Sequence, residues 1–140
     1  MSIVYSHNTP DMDADVIHRF LSEHSTWSVG IQRETVEKAM ENSLCFGVFL
    51  NDQQVGFARV ITDRATFANL VDVFVLPEHR GKGLAKGLMN EVMMHPDLQG
   101  LRRFTLATSD MHPLYRQFGF TDLAKPCTFM EIYRPDIYRS

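Results

Sequence analysis

Between Leu70 and Met94 the spacing of apolar residues changes period, and that change narrows the folds open to the chain. Leu70–Leu76 is a valine-rich run of strand length, stopped by Pro77, which cannot donate to a sheet ladder. After His79-Arg80-Gly81-Lys82-Gly83, the residues Leu84, Leu88 and Val92 recur at four-residue steps, with Ala85 and Met89 beside them. That is the stripe of an amphipathic helix, and Pro96 ends it. A strand, a basic glycine turn and a helix in succession call for a sheet with a helix on its face. The turn also suggests chemistry. Unpaired N–H groups at a helix start hold anions such as phosphate oxygens. Gly81 and Gly83 permit close backbone approach, while Arg80 and Lys82 add positive charge.

Two nucleotide-binding patterns do not fit this turn. A P-loop needs Gly-Lys-Ser/Thr five residues after its first glycine, and five after Gly81 stands Lys86, followed by Gly87. A dinucleotide fingerprint needs a third glycine where Lys86 stands, and lacks its acidic partner about 20 residues on.

The rest of the chain supplies the remaining strands and helices. Ile3–Ser6 reads as a short strand. Asp13–His24 places Val16, Ile17, Phe20 and Leu21 on one helical face, and Arg33–Asn42 reads as a second helix with Val36, Ala39 and Met40 inward. Leu44–Leu50 and Val55–Thr62 form a hairpin around the turn-favouring pair Asn51-Asp52. Phe104–Thr108 is predicted as a strand, Pro113–Phe118 as a short helix closed by Gly119, and Phe129–Tyr133 as a last strand. The order β-α-α-β-β-β-α-β-α-β predicts an α/β (α+β) fold with a mixed, mostly antiparallel sheet flanked by helices. One domain is expected over residues 1–140.

Composition excludes several function classes. The net charge is −3, and basic residues cluster only at Arg80–Lys82 and Arg102-Arg103, which argues against nucleic acid as a partner. No apolar run has the roughly 20 residues of a membrane span, and Met1–Pro10 lacks the pattern of an export signal. Cys45 and Cys127 stand far apart, so neither a disulfide framework nor a cysteine-based metal site is expected. The expectation is a small soluble protein of the cytoplasm, with no metal and no membrane partner.

Arg80-Gly81-Lys82-Gly83-Leu84-Ala85 fits an Arg or Gln, two residues, Gly, one residue, then Gly or Ala. This resembles the pyrophosphate-binding motif of the GCN5-related N-acetyltransferases (GNAT family). Val71–Val75 running through Pro77 into Arg80-Gly81 is similar to that family's fourth strand entering its third helix. Leu114-Tyr115-Arg116-Gln117-Phe118-Gly119-Phe120 is similar to its downstream segment. The resemblance spans about Leu44 to Phe120. It departs from the common pattern at Thr108, where many members carry asparagine, and at Met111, where many carry alanine.

The resemblance implies acetyl-CoA as cosubstrate, its pyrophosphate on the amides of Arg80, Gly81, Lys82, Gly83, Leu84 and Ala85. It implies a splayed, bulged fourth strand whose edge at Phe74–Leu76 pairs with the pantetheine arm, the backbone of Val75 polarising the thioester carbonyl. Tyr115 matches the general acid that protonates the departing thiolate. An amine acceptor, with a pKa near about 10.4, is almost wholly protonated at pH 7 and gains from a base. The candidates are Asp72, a carboxylate interrupting an apolar strand, and His112, just before Tyr115. The family's first two helices and their connection wall the acceptor site, which puts Trp27 there, with Ser28 and Arg33 as polar neighbours and Arg59 and Asp63 on the same cleft.

The function expected on this resemblance is acetyl transfer to the primary amine of a small molecule or peptide, by direct attack in a ternary complex. Neither cysteine has an adjacent base in sequence, so no acyl-enzyme is expected. Two alternatives stay open: transfer of a longer acyl group, and an acyl-CoA-binding sensor without turnover. A homodimer is an assembly left open.

Overall fold

The structure, a computed structural model describing residues 2–139, is built on one five-stranded sheet with strands in chain order. They are β1 (Ile3–Ser6), β2 (Leu44–Leu50), β3 (Gln53–Thr62), β4 (Phe67–Val75) and β5 (Arg103–Leu106). β1 to β4 pair antiparallel, and β5 joins β4 in parallel. The helices are α1 (Ala14–Arg19), α2 (Arg33–Glu41), α3 (Leu84–Met94) and α4 (His112–Arg116). The mixed, mostly antiparallel sheet flanked by helices is the fold class that the element order predicts.

Each face of the sheet has its own apolar layer. On one face Leu84, Leu88, Met89 and Val92 of α3 pack on Phe46, Val48, Ala58, Val60, Leu70 and Val75. On the other, Ile17, Phe20, Leu21, Val36 and Met40 cover Cys45, Phe57 and Phe74. Phe20 stacks on Phe74 with ring centroids 4.0 Å apart. The pleat alone explains the division, because neighbouring residues of a strand point to opposite faces.

Three departures from the sequence-based expectation have physical causes. The expected helix over Asp13–His24 begins at an Asp13 cap, whose side chain accepts from the Asp15 and Val16 N–H groups. It then widens into a π-turn at Phe20–His24, where the Ser25 N–H reaches the Phe20 carbonyl at 2.8 Å and the Ser25 hydroxyl donates to Leu21. The short helix sits at His112–Arg116 rather than Pro113–Phe118. The expected strand at Phe129–Tyr133 does not form: after a 3₁₀ turn at Pro126–Thr128 the chain runs on outside the sheet, with Met130 97% and Ile132 85% exposed. Phe129 touches Arg103 at the start of β5, but the residues after it turn away from the sheet, so strand-like composition alone does not make a ladder there.

β4 pairs with β5 only from Phe67 to Leu70 and then continues to Val75 alone, so the two strands part. Where they part, Asp72 and Val73 lie opposite the single residue Ala58 of β3, a bulge. Asp72 takes φ +54 there, a left-handed conformation that Asp and Asn adopt more readily than most residues.

Close packing of α3 on the sheet edge yields a first prediction. A Cβ at Gly87 would overlap the Tyr5 hydroxyl and ring. Gly87→Ala should therefore destabilise the protein by about 1–3 kcal/mol. In a Tyr5→Ala background the same change should instead stabilise it by about 1 kcal/mol, the helix propensity of Ala over Gly. Urea denaturation of the four proteins reads both signs.

Candidate active site

The glycine turn opens where β4 stops. A 3₁₀ turn at Pro77–His79 leads into it, Gly81 and Gly83 have φ +78 and +76, and Gly83 caps α3. No atom lies within 4 Å of where a Cβ would stand at either glycine. No side chain caps the first turn of α3, and no acidic residue lies in it. The first N–H groups of α3 thus stand uncapped beside open space and a partial positive charge, a cradle of the kind that suits a pyrophosphate. Lys82 is exposed there. The side chain of Arg80 turns back, its Nε donating to the Val75 carbonyl at 3.0 Å. The positive character of the cradle therefore comes mainly from backbone and Lys82.

Val75 is oriented by the ladder. The Leu76 N–H donates to Val55 at 2.8 Å, and antiparallel residues alternate, so the amide of Val75 points away from β3 into the gap between β4 and β5. The Phe74 side chain goes the opposite way, into the core against Phe20 and Phe57. The backbone of Phe74 faces β3, opposite Phe57, so the gap is offered the backbone of Val75 and not that of Phe74.

A polar cluster surrounds the bulge. Asp72 accepts from Trp27 Nε1 at 2.8 Å and from Arg59 Nε at 3.0 Å, and Arg59 also donates to the Ser43 hydroxyl at 2.9 Å. The Arg59 and Asp72 side chains are 15% and 11% exposed, so this is a largely buried ion pair in which each partner makes one further side-chain hydrogen bond. A small cavity of about 70 Å³ beside it is lined by Ile17, Ser28, Arg59, Asp72 and Tyr138.

Tyr115 and His112 lie elsewhere, along a groove of about 650 Å³ between β5 and α4. Tyr115 is buried, its ring edge-on to Phe120 at 6.1 Å, and burial with the charge of Asp110 raises its pKa above 10.0. The phenol therefore stays protonated through neutral pH. Its hydroxyl has no hydrogen-bond partner among the described residues, whereas His112 is exposed at the start of α4 and lines the same groove.

The structure thus brings Trp27, Arg59 and Asp72 together, and Tyr115 with His112, as two separate groups. Arg33 is spent on Asp15 and Glu37, and Ser28 is buried. Asp63 does not line the cleft. Its carboxylate closes the turn between β3 and β4, accepting from the Thr66 hydroxyl and from the N–H groups of Thr66, Ala65 and Phe67, which holds its pKa well below the usual carboxylate range. Ser43 and Tyr138 escape a reading of the sequence, because their places depend on contacts between distant segments. Burial pushes the Cys45 thiol up to about 11, and Cys127 is exposed. Among the described residues no group of His, Cys, Asp or Glu side chains is placed to hold a metal ion, and no helix is long and apolar enough to cross a membrane.

A strand released from its neighbour beside an open helix start defines the class of protein, and comparison with known proteins agrees. Residues 41–122 match the model of the acetyltransferase (GNAT) domain, and the chain belongs to the GNAT acetyltransferase family. It is similar to a GNAT-family protein from Xanthomonas campestris pv. campestris, 52% identical, with a TM-score of 0.97 over 100% of this chain and 99% of that one. A candidate acetyltransferase from Gibberella zeae is 32% identical, the match covering 79% of this chain and 75% of the relative. The fold is shared with a Clostridium acetobutylicum protein crystallised with acetyl-CoA, at 17% identity and a TM-score of 0.65 over 94% of this chain and 96% of that one.

The left-handed Asp72 yields a second prediction. Asp72→Asn keeps a residue suited to that φ and an acceptor for Trp27. Asp72→Ala loses both and should be less stable than the Asn variant by about 1–2 kcal/mol. Arg59→Ala strands the carboxylate and should cost more than Arg59→Ala combined with Asp72→Asn. Thermal melts of the set decide.

Proposed function

We propose that this chain is an acetyl-CoA-dependent N-acetyltransferase that acetylates the primary amine of a small molecule or peptide by direct attack with both substrates bound. The observation that carries this reading is the open cradle at the start of α3, set beside the freed end of β4. Residues 1–140 would form one such domain, at work in a reducing compartment such as the cytoplasm, in keeping with two free cysteines.

The amides from Arg80 to Ala85 bind the pyrophosphate, and the exposed edge at Phe74–Leu76 receives the pantetheine arm as an added strand. Bound acetyl-CoA supplies an acetyl group activated as a thioester. The Val75 N–H, pointing into the gap, donates to the oxygen on which negative charge grows. Arg80 fixes that end of β4 through its bond to the Val75 carbonyl. Tyr115, held neutral by burial, is the proton donor to the leaving thiolate. Asp72 accepts two charged or polar donors already, which lowers its worth as a proton acceptor. Its role in this scheme is to attract and orient an ammonium, with Trp27 and Arg59 shaping the acceptor side. His112, exposed and unconstrained, remains available to carry the amine proton to water.

Direct transfer requires no thiol nucleophile. Cys45 is buried with a raised pKa, so a Cys45→Ala/Cys127→Ala protein should keep most of its turnover, and mass spectrometry should find no acetyl-cysteine.

The decisive assay is an amine panel with acetyl-CoA, following free thiol. Turnover with any amine separates a transferase from an acyl-CoA sensor. Two variants then test the parts. Gly83→Glu places a side chain and a negative charge in the cradle and should abolish CoA binding by calorimetry, whereas Lys82→Ala, removing one exposed charge, should weaken it slightly. Tyr115→Phe should lower kcat and kcat/KM together by roughly 10²–10⁴-fold, with the CoA affinity held. Because burial and Asp110 raise its pKa, the acid form persists through neutral and mildly alkaline pH, and any loss of the parent's kcat from this group should come later than for an ordinary tyrosine.

A further inference from the structure

The cavity beside the Arg59–Asp72 pair is closed in part by a segment distant in sequence. Its walls include Ile17, Leu21, Ile31, Val36 and Phe57, and its charged groups are Asp72 and Arg59. One further wall is Tyr138, from the C-terminal turn. Trp27 and Arg59 each bond one oxygen of Asp72, and a carboxylate has about four acceptor sites, so a further N–H donor can be received. An apolar cavity of about 150 Å³ binds benzene, and this one, at about 70 Å³, has room for a short carbon chain and none for a ring. Apolar walls around an N–H acceptor fit a small alkyl primary amine.

The C-terminal turn, residues 134–139, is a block bonded to itself. The Ile137 N–H donates to the Arg134 carbonyl at 3.2 Å, the Arg139 N–H donates to the Asp136 carbonyl at 3.0 Å, and the Arg139 and Asp136 side chains pair at 3.3 Å. Among the described residues its hydrogen bonds are all internal, and Met130, Ile132 and Tyr133 on the way to it are exposed. One close approach seats the turn. A Cβ at Gly30 would stand 2.5 Å from the Tyr138 carbonyl oxygen, and Gly30 has φ +87, so glycine is what lets the turn come this near. The seat itself is fixed, because the Gly30 N–H donates to the Ser22 carbonyl at 3.0 Å. A wall held by packing at one point can be unseated by a single substitution.

We propose that the C-terminal turn is the specificity-determining wall of the acceptor pocket: seated on Gly30, Tyr138 closes the cavity at Asp72 to the size of a short alkyl primary amine and excludes amines that carry a ring. This inference rests on the acetyl-transfer reading for the use of the pocket, and adds to it the size class of the acceptor and the segment that sets it. The discrimination is steric. A bulkier amine must displace the turn before it can reach Asp72, and loses that cost from its binding. Unseating the turn therefore relaxes the exclusion while Asp72, Trp27 and Arg59 stay in place.

Trp27 is the single tryptophan and its indole N–H bonds Asp72, so one indole resonance in the isotope-labelled full chain reports amine binding at that carboxylate. Titration with propylamine and with phenethylamine gives a dissociation constant for each in the parent, Gly30→Ala and Tyr138→Ala. The parent should bind propylamine about tenfold or more tightly than phenethylamine. Both variants should gain about tenfold in phenethylamine affinity, with propylamine little changed. Tyr138→Ala serves where Gly30→Ala, strained at positive φ, fails to fold. Unchanged phenethylamine affinity in the folded variants overturns the proposal, as does a parent that binds both amines alike or neither. Free thiol released from acetyl-CoA is followed in the same proteins. Amine selectivity without thiol release keeps the wall and overturns the acetyl-transfer reading instead.

Discussion

The Asp72 carboxylate is the anchor on which the geometry of the site depends. β4 holds two partners as far as Leu70 and one partner beyond it, so the strand needs something to define where it bends. A bulge does this, at the cost of a residue in left-handed conformation. Arg59 from β3 and Trp27 from the segment between α1 and α2 bond the two carboxylate oxygens and hold the bend from both sides. Everything downstream inherits its direction: Phe74 into one core layer, Val75 into the other with its amide in the gap, then Pro77, the glycine turn and α3. A side chain that sequence inspection offers as a proton acceptor thus also has a mechanical task.

Much of this was legible in the sequence, for identifiable reasons. β1 and β2 follow from apolar runs bounded by turn residues, and the Asn51-Asp52 turn is found with both residues at positive φ. The stripe from Leu84 to Val92 defines α3, and Gly81 and Gly83 take the positive φ that the turn requires. β3 and β4 begin earlier than apolarity suggests, at Gln53 and Phe67, because the buried residues there, Gln54 and Ala68, are polar or small and give no apolar signal in the sequence. The π-turn at Phe20–His24 was not legible, since one inserted residue hardly disturbs a helical stripe. Nor was the pairing of Trp27 with Asp72, which depends on how a loop lies over the sheet.

The segment Phe129–Tyr133 shows a different kind of gap between sequence and structure. Its composition is that of a strand, but a strand is a relation between two edges, and no strand of the sheet pairs with it. The two polar groups of the site divide in a similar way. Trp27, Arg59 and Asp72 sit on the face covered by α1 and α2, whereas Tyr115 is carried by α4 beyond β5. The gap between β4 and β5 lies between them.

The pairing of β1 has a consequence in time. Ile3 stands opposite Leu50 and Ser6 opposite Gly47, so β1 has no partner until both helices of one face and all of β2 exist. The β2–β3–β4 meander closes through short turns, while β1 must bridge a long loop and β5 must wait for α3. During synthesis the amino-terminal strand therefore travels unpaired past the elements it will later edge. With Ile3 and Val4 about half exposed even after docking, it adds few buried contacts when it arrives. By topology, folding is expected to run from the β2–β3–β4 meander outwards, with β1 and β5 added later.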